Sequence, residues 1–72
     1  MIDYTGLRVV LASKNLKQKD LIAMTGLPKS TMARMSKNEY VSTETIDRIC
    51  KALQCQPSDL MRYVEMENPT KE

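Results

Sequence analysis

QKDLIAMTGLPKSTMARMSKN, residues 18–38, is the stretch whose reading decides the fold of this chain. Leu21 and Thr25 stand four apart and so share one face of a helix. Gly26 follows at once. A glycine just past a helix end can take the left-handed conformation that stops the helix, which other residues adopt only at a steric cost. Leu27 re-enters the core. Pro28 has a ring-fixed φ that suits a helix start, where its missing N–H is no loss. Met32 and Met35, three apart, give the next helix its inward stripe. The spacing predicts two short helices, over about 18–24 and 28–36, joined by a tight turn.

The outward face of the second helix carries Lys29, Ser30, Ala33, Arg34 and Lys37. Cations and a hydroxyl can meet phosphates and base edges, and a methyl can meet a thymine methyl. Taken singly, each feature also suits an ordinary solvated face beside an ordinary turn. The distribution of charge separates the two readings. Residues 8–37 hold seven Lys and Arg against the single acid Asp20, a net of +6, whereas residues 38–72 hold four against seven acids, a net of −3. The mild overall charge of +2 hides a strongly basic half that coincides with the two-helix unit. A polyanion partner is the simplest account. Together these features have the layout of a helix-turn-helix, whose second helix lies in the major groove of DNA.

The rest of the chain reads as helices too. Leu7, Val10, Leu11 and Lys14 repeat at i, i+3, i+4, i+7, with Lys14 a snorkelling end, and predict a helix over about 4–14. Asp3 would be its N-cap or lie in its first turn, and Asn15 its left-handed terminator. Asn38 stands where the third helix should end. Ser42 is a good N-cap for a fourth helix, Glu44 suits its first turn, and Ile46, Ile49, Cys50 and Leu53 form its buried stripe. A fifth helix starts near Pro57, with Leu60, Met61 and Val64 on its apolar side. No strand signal is present. The expectation is an all-α compact bundle of five short helices in one domain over residues 1–66, with residues 67–72 a frayed tail.

Seventy-two residues leave little room for a second domain. The start MIDYTGLRVV lacks the basic beginning and long apolar run of a secretory signal, and no apolar run reaches the length of a membrane span, so a cytoplasmic protein is expected. In a reducing compartment Cys50 and Cys55 stay thiols and are read as core. Two cysteines without any histidine cannot complete a four-ligand zinc site. Without histidine, and with its two glycines twenty positions apart, the chain offers neither the commonest general base nor a phosphate-cradling loop. No enzyme, no cofactor, no metal and no small-molecule effector are expected.

The run from Leu16 to Met61 resembles the Cro/C1-type (phage-repressor, XRE-like) helix-turn-helix DNA-binding domain. The resemblance is carried by Gln18, Leu21, Gly26, the segment LPKSTMARM, then STETIDRICKAL and the closing QPSDLM. It implies a lambda-repressor-like bundle in a small stand-alone regulator. It also implies that Gln18 contacts the DNA backbone and braces the start of the recognition helix. Lys29, Ser30, Thr31, Ala33 and Arg34 would correspond to base-reading positions. Lys17, Lys19, Lys37, Asn38 and Tyr40 would join Gln18 on the phosphates. Two departures stand out: Ile22 occupies a place where the family has a small residue, and Pro28 one where a serine or threonine cap is common.

The resulting expectation is a sequence-specific regulator of transcription, a repressor rather than an activator, that binds double-stranded DNA as a homodimer. Met61, Tyr63, Val64 and Met66 would form the dimer seam on the C-terminal helix. The alternative is a protein-interaction module that pairs with a larger regulator or a toxin and binds DNA weakly. A nucleic-acid coating protein fits poorly, since it would need aromatic stacking platforms and the chain has three tyrosines and no other aromatic residue.

Overall fold

The structure, a computed structural model, describes residues 1–65. After a short strand β1 (Ile2–Asp3) come α1 (Thr5–Ser13), α2 (Gln18–Thr25), α3 (Lys29–Ser36), α4 (Thr43–Leu53) and α5 (Pro57–Leu60), and then a second short strand, β2 (Arg62–Tyr63). Helix α1 packs on α5, α2 on α4, and α4 on α5. The fully buried side chains are Leu21 from α2, Ile49 and Leu53 from α4, and Leu60 from α5. Burial of each stabilises the fold by about 1.5–3 kcal/mol relative to exposure.

The helix ends follow local chemistry. Ser42 caps α4, its hydroxyl accepting the Thr45 N–H at 3.2 Å. Asp20 reaches back to the Lys17 N–H at 2.8 Å, and Asp59 to the Gln56 N–H at 2.9 Å, each holding the start of a helix. Three helices end in one way. Asn15, Asn38 and Gln54 adopt left-handed backbone at φ 59, 58 and 57. The next residue in each case donates its N–H five positions back, Leu16 to Leu11, Glu39 to Arg34 and Cys55 to Cys50. This is a Schellman-type closure, which brings the residues at its two ends into contact. Cys50 and Cys55 meet in this way, both half-buried and both free thiols. Burial, then the neighbouring Cys50, push the Cys55 thiol above its usual range.

Four expectations are corrected. The chain pairs Ile2 with Tyr63 and Asp3 with Arg62 in an antiparallel two-stranded sheet, where no strand was expected. Asp3 is therefore a strand residue rather than the cap of α1; the cap position belongs to Tyr4, which is buried. Helix α3 begins at Lys29, not 28, because Pro28 sits just outside it with extended backbone, φ −72 and ψ 155. Helix α5 stops at Leu60, since Met61 is extended at φ −145 and ψ 159. Met61, Tyr63 and Val64 thus belong to an extended segment and not to a helix face. Met66 and the expected tail 67–72 lie outside the described residues.

Candidate nucleic-acid interface

The turn between α2 and α3 is closed by side chain and backbone together. The Gly26 N–H donates to the Ile22 carbonyl at 2.8 Å, and Gly26 takes φ 75 and ψ 11. Beyond Gly26 and its chain neighbours, no atom of the described residues lies within 4 Å of where its Cβ would be, so glycine is required here by backbone conformation and not by space. The Thr25 hydroxyl donates to the Leu21 carbonyl at 2.8 Å and accepts the Leu27 N–H at 3.2 Å. Leu27 is buried and anchors the turn to the core. Ile22 is half-buried against that core, beside which Met32 and Met35 are buried.

With Met32 and Met35 inward, α3 exposes Lys29, Ser30, Ala33 and Arg34 along one side, and Lys37 just past its end, while Thr31 is half-buried. Ser30, Thr31 and Arg34 border a shallow cleft with Val41, Ser42 and Thr45, so these three of the base-reading candidates stand beside the start of α4, while Lys29 and Ala33 lie outside the cleft. Lys17, Gln18 and Lys19 are exposed at the start of α2, and Tyr40 is 75% exposed in the loop after α3.

Two of the expected phosphate contacts turn out to have partners inside the fold. Gln18 Nε2 donates to Ser36 Oγ at 3.3 Å, so it braces the end of α3 and not its start. Asn38 Oδ1 accepts the Tyr4 N–H at 3.1 Å and ties the end of α3 to the start of α1. Neither pairing has a signature in local sequence, because the partners are 18 and 34 positions away.

The electrostatics are one-sided. Among the described residues the ion pairs are Arg48–Glu44 at 3.0 Å and Arg62–Asp3 at 3.6 Å, both using cations of the more acidic half of the chain. None of the seven cations in residues 8–37 has a carboxylate within ion-pair reach among the described residues. An exposed helix with unneutralised cations and small polar side chains can approach a polyanion closely. Among the described residues no three His, Cys, Asp or Glu side chains gather to hold a metal ion. No helix among them is long and apolar enough to cross a membrane.

A model of the Cro/C1-type HTH DNA-binding domain matches residues 6–65. The chain is 35% identical over 60 residues to the HTH-type transcriptional regulator YozG of Bacillus subtilis (strain 168), a match covering 76% of this chain and 68% of that protein. Among solved structures, it superposes on the transcriptional regulator VanUg with a TM-score of 0.81 at 33% identity, covering 85% of this chain and 81% of that one.

Proposed function

Since the chain belongs to the Cro/C1-type HTH DNA-binding family and is a DNA-binding transcriptional regulator, we propose that it represses transcription in the cytoplasm as a sequence-specific homodimer. In this reading Lys29, Ser30, Thr31, Ala33 and Arg34 meet base edges in the major groove. Lys17, Gln18, Lys19, Lys37 and Tyr40 meet the flanking phosphates, together with the amide nitrogen of Asn38, whose oxygen is engaged by Tyr4. The observation that carries this assignment is the exposed side of α3, where Lys29 and Arg34 stand without a carboxylate partner among the described residues.

A homodimer follows from information content. One recognition helix reads only a few base pairs, too little for selectivity in a genome, and two copies on adjacent half-sites double the reading. Repression needs nothing beyond occupancy of a promoter. Footprinting on the DNA upstream of the chain's own gene, with a reporter driven from that DNA, tests the proposal. The expected result is protection of two half-sites about 34 Å apart, one helical turn, with reporter output falling as the protein rises. Equal affinity for that DNA and for random duplex would overturn sequence-specific reading, and rising output would overturn repression.

A further inference from the structure

Among the described residues, strand β2 has one edge engaged and one edge open. Val64 N–H donates to the Met1 carbonyl at 2.8 Å, and the Met1 ammonium donates to the Val64 carbonyl at 2.7 Å. Met1 and Val64 thus form the doubly bonded kind of antiparallel pair. The ladder alternates, so the next pair, Ile2 with Tyr63, is the kind without mutual hydrogen bonds. The Tyr63 N–H and C=O therefore point away from β1, toward the outer edge. Arg62 and Tyr63 are both exposed, and the Tyr63 residue is 71% so. A strand edge with free backbone groups and an exposed aromatic is a ready template for another strand.

We propose that this outer edge pairs antiparallel with β2 of a second copy of the chain, about a two-fold axis passing between Tyr63 and Tyr63 of the partner subunit. The proposal rests on the homodimer reading and names its seam. The edge is self-complementary. In the doubly bonded pair at the axis, each Tyr63 gives its N–H to the other's carbonyl, so one residue satisfies both copies. In this register Arg62 stands opposite Val64 of the partner subunit, and Met61 opposite Glu65 of the partner subunit, with no like charges facing. Sliding the axis to Arg62 would set two arginines opposite each other, which disfavours that register. The register also builds a continuous row. Ile2, already packed against the core, shares a sheet face with Tyr63. The two-fold extends the row to Ile2, Tyr63, then the partner's Tyr63 and the partner's Ile2. Aromatic and β-branched cross-strand pairs are the ones that stabilise sheets.

The test uses the full chain in sedimentation equilibrium, alone and with a duplex carrying the footprinted site. Tyr63→Pro removes the outward N–H together with the ring and spares the bonds to Met1, which belong to Val64; a proline is tolerated on such an edge. Tyr63→Ala keeps the N–H and removes the ring. Both variants should weaken the dimer, and we expect the dissociation constant to be about thirtyfold higher in Tyr63→Pro than in Tyr63→Ala, the loss of two backbone hydrogen bonds. Amide exchange on the native chain gives an independent reading: the Tyr63 N–H should become protected as protein concentration rises, while the Val64 N–H stays protected throughout. A native dimer whose Tyr63 amide exchanges at a concentration-independent rate, or whose dissociation constant is unchanged in a folded Tyr63→Pro, overturns the β2 seam and leaves the homodimer standing. A native chain that is monomeric in solution and binds the site one copy at a time overturns both.

Discussion

Tyr4 and Asn38 are joined across the fold: the Tyr4 N–H donates to Asn38 Oδ1 at 3.1 Å, 34 positions away in sequence. Asn38 also ends α3 with left-handed backbone, φ 58. One residue thus stops α3 and fastens its end to the start of α1. The two duties can be separated. Asn38→Gly keeps the backbone conformation and loses the side-chain bond, leaving a half-buried donor without its partner, a cost of about 1–3 kcal/mol. Asn38→Ala adds the steric cost of left-handed backbone, about 1–2 kcal/mol. The expected order of urea midpoints is native, then Asn38→Gly, then Asn38→Ala. Equal midpoints for all three would return Asn38 to a purely DNA-contacting role.

Arg34 is the longest exposed donor in the middle of α3, with no carboxylate partner among the described residues. Its guanidinium can reach guanine O6 and N7 together. Arg34→Ala should cost about 1–3 kcal/mol on the preferred site and much less on random duplex. Titrations on both DNAs check this. An equal loss on both would reassign Arg34 to a phosphate.

The parts of this molecule that were legible in its sequence are those decided within one turn of chain. Gly26 in left-handed backbone, the inward Met32 and Met35, the Ser42 cap and the left-handed Asn15 all follow from neighbours a few residues away. The shift of α3 to Lys29 was foreshadowed by Pro28, which stands where a capping residue is common and itself takes the cap position. What stayed hidden depends on long-range closure. Two residues per strand are too few to show an alternating pattern, and Met1 and Val64 meet across 63 positions. For the same reason a helical reading carried on through Met61 and Val64, although Leu60 already ends α5. Gln18 shows the limit at the interface itself. Its place beside the turn was readable, but its partner, Ser36 at the far end of α3, was not.

Gly6 of α1 lies directly against the backbone of α5 at Asp59 and Leu60. A Cβ there would collide with the backbone carbonyl of Asp59, which cannot swing aside as a side chain could. Gly6→Ala gains roughly 0.5–1 kcal/mol of helix propensity. The forced separation of two packed helices costs typically 1–3 kcal/mol. The collision wins, and the melting temperature should fall. Each net 1 kcal/mol corresponds to about 4–8 °C in a domain of this size. A raised melting temperature would show that α5 moves away at no cost, and hence that the contact between α1 and α5 is loose.

Salt dependence measures how many phosphates the basic half engages. The unneutralised cations of residues 8–37 would displace condensed counterions on binding, and each phosphate neutralised adds about −0.9 to the slope of log K against log salt. If Lys17, Lys19, Lys37 and the loop at Tyr40 engage about four phosphates per protomer, a dimer should show a slope near −7. Lys37→Ala removes one such contact from each protomer. It should make the slope shallower by about 2 and weaken specific and random DNA to the same extent. This behaviour is the opposite of that expected for Arg34→Ala, so the pair of variants separates backbone contact from base reading in one set of titrations. A native slope shallower than about −2 would mean that few phosphates are engaged. Most of the basic half would then be a solvated face, and the phosphate contacts proposed for Lys17, Lys19 and Lys37 would be overturned.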